Sequence, residues 1–129
     1  MKFKFIALIV VLILSSFTVI EAQNKIEVNS KKVSKMIRKD KKLIVLDVRT
    51  ADEFKEGHIN GAINIDIRQP DALEKIDKLD CNAKYIVHCR THHRSATAAE
   101  HMAQNGFKNV YQMMDGFPGW AANKLAVQK

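Results

Sequence analysis

The chain has 129 residues, two cysteines and a formal net charge of +7, enough for one compact domain and too short for two. No Pro-rich, Gly/Ser-rich or repeated segment divides it. The basic excess is lysine scattered through Lys31, Lys32, Lys35, Lys39, Lys41 and Lys42; no aromatic residues interleave with it as a nucleic-acid surface would want, so no nucleic-acid partner is expected, and a solvated face with mild attraction for small anions is the reading.

Residues 1–22 read as a secretory signal. Lys2 and Lys4 precede an apolar run from Phe5 to Ile20, and Ala22 is small enough to end the segment at a cleavage site. The protein is therefore expected to be exported, to the periplasm. Contact with a membrane is expected only if the segment stays uncleaved, as the bulky Ile20 near the junction would favour, although the run is short against the roughly 20 residues of a spanning helix. One domain is expected over 23–129.

Ile26–Val28 reads as a short strand, and Asn29 as the cap of a helix carrying Val33, Met36 and Ile37. Leu43–Leu46 is a continuous apolar run too short for a helix, as in a parallel strand covered on both faces. It ends at Asp47-Val48-Arg49. Thr50 with Glu53 three residues on predicts a capping box and a short helix ending at Gly57. Arg49 and Glu53 are spaced for a local ion pair. Ala62–Ile65 reads as a strand, and Pro70-Asp71 opens a helix with Leu73, Ile76 and Leu79 on its apolar side. Tyr85–His88 is a strand that delivers Cys89. Ser95–Asn105 is a helix with Ala98, Ala99 and Met102 on one face, stopped by Gly106. Val110–Met113 is the next strand, Asp115–Gly119 a turn, and Trp120 the start of a short terminal helix. Strands alternating with helices predict an α/β fold, a parallel sheet with helices on both faces.

Two cysteines in an exported chain first suggest a disulfide. A strand between Cys81 and Cys89 would separate them by about 20 Å or more at roughly 3.3 Å per residue, whereas a disulfide needs Cα atoms within about 7 Å. Cys89 is therefore read as a free thiol and Cys81 as incidental. Three readings compete for the stretch HCRTHHRS, residues 88–95: a reactive thiolate, a metal site, or a buried structural cysteine. Cys89 should stand at the carboxyl end of a strand, where open α/β sheets bind ligands. The following turn and helix start would aim N–H groups at its sulfur and favour an anion there, as would the cations Arg90 and Arg94. At a helix start Arg94 opposes the dipole, so it should hold an anion or a carboxylate. Zinc or copper would suit His88, Cys89, His92 and His93. Against that, His88 should face away from Cys89, and adjacent His92 and His93 rarely share one ion.

Asp47-Val48-Arg49, Glu53-Phe54, Gly57-His58-Ile59, Gly61-Ala62 and Asn64-Ile65 together resemble the first motif of the rhodanese family. Cys89-Arg90-Thr91 with Arg94-Ser95 resembles its active-site loop, and Asp115-Gly116 followed by Trp120 its C-terminal motif. The three lie in register from about Ile26 to the end. The resemblance implies a single rhodanese-like domain over 23–129 and sulfur transfer through a persulfide on Cys89. Arg90, Thr91, His92, His93 and Arg94 would bind the substrate, and Asp47, Arg49 and Ser95 would support the loop, with no cofactor and no metal. The partners implied are a small anionic sulfur donor and a thiol acceptor. His58 is expected to pack rather than act. His92 stands where many members have glycine, so a positive φ there would strain it. Six residues from Cys89 to Arg94 match the sulfur-transferring members; related phosphatases carry one more. A non-catalytic binding or sulfur-carrier module of the same fold is the alternative, and a phosphatase or arsenate reductase the third reading.

Overall fold

A computed structural model describes residues 25–129; the expected signal over 1–22 lies outside the described residues. The elements run β1 (Ile26–Val28), α1 (Ser30–Lys39), β2 (Ile44–Asp47), α2 (Ala51–Glu56), β3 (His58–Ile59), β4 (Ile63–Asn64), α3 (Ala72–Asp77), β5 (Lys84–His88), α4 (His93–Gln104), β6 (Asn109–Met113), α5 (Gly116–Ala122) and β7 (Val127–Gln128). Five strands form one sheet in the order β1-β6-β5-β2-β4, every pairing parallel. β3 and β7 pair antiparallel in a separate ribbon.

The two-residue period of the buried strands divides the core. Leu46, Tyr85, Val87 and Cys89 face one side, where they pack with Ile76 of α3 and Ala98, Ala99 and Met102 of α4. Val45, Ile86 and Met113 face the other, against Val33 of α1 and Trp120 of α5. The small residues of α4 let its backbone approach the sheet, as their pattern predicts.

Local signals place most helix starts. The Asn29 side chain accepts from Lys32 N–H at 2.9 Å, and Thr50 with Glu53 forms the expected capping box. Four expectations need correction. Leu73 is 40% exposed while Ile76 is fully buried, because the buried stripe of α3 runs through Ala72 and Ile76, four residues apart, and Leu73 lies one position off it. The helix expected from Ser95 begins at His93. Gly116–Gly119 is helical rather than a turn. The two-residue strands β3 and β7 are absent from the expectation, since each gains order only by pairing with the other. Both cysteines are free, and Cys81 is partly buried against the same core cluster as Cys89.

Candidate active site

β5 runs through the middle of the sheet and releases the chain at Cys89, which is fully buried. Its Sγ accepts the Ser95 N–H at 3.3 Å. This donor lies in the first turn of a 12-residue helix, where N–H groups lack intrahelical partners and the helix dipole favours negative charge. Between them Arg90, Thr91, His92 and His93 are exposed, Arg94 is half-buried and Ser95 is buried. His92 has φ −143°, so the left-handed strain expected there is absent.

The turn after β6 and the start of α5 hold the near end of this loop. Phe117 N–H donates to the Cys89 carbonyl at 2.9 Å. The approach requires Gly116, whose φ is +61° and whose notional Cβ would lie 2.1 Å from the Arg90 carbonyl oxygen. Asp115 ties the same turn to α1, accepting from Ser30 N–H at 2.9 Å and from the Ser30 hydroxyl at 2.6 Å.

Arg94 is held from α2. Its guanidinium donates to both Glu53 oxygens, at 2.7 and 3.0 Å. The Arg94 hydrogen bonds, assisted by those from Thr50, outweigh desolvation and bring the Glu53 carboxyl down to about 2; the Arg94 pKa is raised in turn. The carboxylate partner expected for Arg94 is thus Glu53, and Arg49 does not pair with Glu53. Arg49 instead forks onto Asp47, with Nη2 2.7 Å from Asp47 Oδ2, donates to the Gly57 carbonyl at 2.7 Å, and lies 4.0 Å over the Phe117 ring. Asp47 is fully buried and Arg49 nearly so. They brace the end of β2 against Phe117 of α5, the residue whose N–H holds the Cys89 carbonyl.

His88 points to the opposite side of the strand from Cys89. Burial pushes its imidazole below the ordinary 6.5, against the pull of Asp47 at 3.5 Å. Its Nδ1 faces the Cys89 carbonyl at 3.3 Å. His92 and His93 sit together outside, ring centroids 4.3 Å apart. The four residues of the metal reading are therefore not gathered; among the described residues no three His, Cys, Asp or Glu side chains converge on a metal position. His58 stacks on Phe54 and bonds its carbonyl, a packing role.

Beside the loop lies an open cleft of about 410 Å³ lined by Arg49, Glu53, Glu56, Gly57, Arg90, Phe117 and Pro118. Of the five residues expected to bind substrate, only Arg90 lines it. Arg94 reaches it through Glu53, while Thr91, His92 and His93 lie elsewhere on the loop. Sequence reasoning missed Gln112, a fully buried amide on β6 that donates to the His92 carbonyl at 2.8 Å and to Ser95 Oγ at 3.0 Å. The one signal for it is a glutamine set between Tyr111 and Met113 in a mostly apolar strand.

A parallel sheet with one central strand ending in a cysteine cradled by a helix start defines the class of cysteine-loop α/β domains. Within that class the chain belongs to the rhodanese-like domain family, whose model matches residues 29–123. It is 31% identical over 85 residues to a protein of Coxiella burnetii named thiosulfate sulfurtransferase GlpE, covering 66% of this chain and 78% of that one. It is 32% identical over 94 residues to the putative sulfurtransferase YtwF of Bacillus subtilis, covering 73% and 88%. The crystal structure of a rhodanese-related protein from Thermoplasma volcanium superposes with a TM-score of 0.70 at 32% identity, covering 80% of this chain and 97% of that one.

Proposed function

We propose that the protein is a sulfurtransferase that carries sulfur as a persulfide on Cys89. The observation that carries this reading is the Cys89 sulfur facing the Ser95 N–H in the first turn of α4, at the end of a central strand. A fixed donor there favours an anionic sulfur both before and after transfer. In the first half-reaction the Cys89 thiolate attacks the outer sulfur of thiosulfate. The donor's S–S bond breaks, its electron pair leaves on sulfite, and Cys89 keeps a persulfide. In the second, an acceptor thiolate takes the terminal sulfur and the Cys89 thiolate returns; cyanide serves in an assay and leaves as thiocyanate. Such a covalent intermediate gives ping-pong kinetics. Arg90, exposed at the cleft, draws in the dianionic donor. Names of the curated relatives support the class of reaction.

The test is the intact mass of the purified protein before and after thiosulfate. The reading requires gain of one sulfur atom, lost again on cyanide treatment, and absent from Cys89→Ser. No gain in the parent would defeat it. A second reading has one observation in its favour: Cys89 has no exposed surface, as suits a carrier loaded only by a docked protein. Sulfur gain from a protein persulfide donor but not from thiosulfate would select that reading. The proposal includes export, with 1–22 removed; N-terminal sequencing of the envelope protein should begin at or near Gln23.

A further inference from the structure

Ser95 N–H can face the sulfur only if the start of α4 is held in one place. Its side of the loop is gripped from β6, by a chain of hydrogen bonds in which every donor has a fixed direction. Lys25 Nζ donates to Gln112 Oε1. A lysine ammonium has donors and no acceptor, so it can meet only the oxygen end of that amide. The nitrogen end then faces His92 and Ser95, donating to the His92 carbonyl at 2.8 Å and to Ser95 Oγ at 3.0 Å. The Ser95 hydroxyl, having accepted, passes its own hydrogen to the His92 carbonyl at 3.2 Å. Ser95 N–H donates to Sγ at 3.3 Å. A reversed amide would put oxygen against the His92 carbonyl and nitrogen against the ammonium, so only one rotamer state satisfies both ends. A charge-assisted bond at one end of such a chain strengthens the donors further along it.

We infer that Gln112, oriented by Lys25, is a positioning residue that aims the Ser95 N–H at the Cys89 sulfur. The inference rests on the persulfide reading of the site. It extends the machinery to residues outside the cysteine loop, and Lys25 lies outside residues 29–123 matched by the family model. Its contribution belongs to the step in which charge shifts on sulfur, so its loss should lower turnover and leave donor capture, which falls to Arg90, alone.

Gln112→Leu is a suitable probe because it strands no buried group. The His92 carbonyl keeps Ala96 N–H at 2.9 Å and the Ser95 hydroxyl, and the Lys25 side chain, 20% exposed, can be hydrated. Stability should therefore be close to that of the parent. The measurements are kcat and KM for thiosulfate with cyanide, thermal unfolding, and amide hydrogen exchange at Ser95 and in β5. Gln112→Leu is expected to lower kcat about tenfold with KM within about twofold, the pattern of a lost transition-state interaction. Lys25→Met should give a smaller loss of kcat. The double variant should match Gln112→Leu alone, since Lys25 acts through the amide. Parent-like kcat, a change confined to KM, or additive losses would each overturn the inference. Hydrogen exchange separates it from the persulfide reading. If the parent gains no sulfur, that reading falls, yet faster exchange at Ser95 with β5 amides unchanged would still support the positioning. Unchanged exchange at Ser95 would overturn it.

Discussion

Replacing Glu53 by glutamine removes the negative charge from the pair that joins α2 to the cysteine loop, keeps the side chain's size, and turns the oxygen that faces Arg94 Nη2 into an NH2 that cannot accept. The glutamine oxygen can still accept from Thr50 N–H, as the glutamate does at 2.9 Å, so the capping box survives. A carboxyl held at about 2 instead of 4.5 corresponds to roughly 3 kcal/mol at neutral pH. Arg94 and Glu53 are 18% and 27% exposed at their side chains, and solvent screening reduces the realised part to about 1–2 kcal/mol. The Glu53 pKa is depressed in the folded state, so this stability is whole above 4.5 and is lost as pH falls toward 2. Urea unfolding of the parent and Glu53→Gln should differ by about 1–2 kcal/mol at pH 7, and the curves should converge between pH 4.5 and 2. A difference below about 0.3 kcal/mol at pH 7, the level of an ineffective surface pair, would refute the reasoning. So would a gap that persists undiminished at pH 2.

Gly116→Ala should cost about 3 kcal/mol or more, since a left-handed alanine alone costs roughly 1–2 and its Cβ would meet the Arg90 carbonyl; denaturant titration and sulfur loading should fail together. His88→Leu should flatten the acid side of the stability profile. The folded imidazole sits below 6.5, so the parent keeps full stability above that pH and loses it as pH falls, whereas the variant has no such group; unfolding at pH 7 and pH 5 compares the two. Cys89→Ser should abolish sulfur transfer while Cys81→Ser keeps it within about twofold in turnover assays, and equal losses would indicate a redox pair.

The fold was legible where a residue's local chemistry decides its place. Asn29 and Thr50 cap their helices, Gly106 ends α4 at φ +87°, and the apolar runs become the inner strands. At the site, Cys89 could be assigned because strand, turn and helix start are consecutive in sequence. Its partners could not, because they are chosen by topology. Glu53 and Arg94 are 41 residues apart, and Gln112 reaches the loop only because β6 lies beside β5. Spacing alone allows a pair between Arg49 and Glu53, yet the turn from β2 brings Asp47 to Arg49 instead, with Asn64 donating to both the Asp47 and Arg49 carbonyls at 2.9 Å. The expected turn at Asp115–Gly119 failed for a similar reason. Glycine and proline spell a turn in isolation, but burial of Trp120 and the Asp115–Ser30 contacts hold the segment as a helix.

The strand order β1-β6-β5-β2-β4 has a consequence for the growing chain. β1 is the first of the described strands, and its one neighbour in the sheet among the described residues is β6, near the other end of the sequence. β2, β4 and β5 can pair early, whereas β1 must wait for β6 to form before it has an edge to join. Cys89 is therefore synthesised before Gln112 and Gly116, which close over its loop, and at typical elongation rates that interval is on the order of seconds. During it the thiol lacks the contacts that bury it in the finished fold and is open to oxidation and to mixed disulfides. Completion of the carboxyl-terminal third is what shelters it, so truncated or stalled chains should be far more easily oxidised than the finished protein.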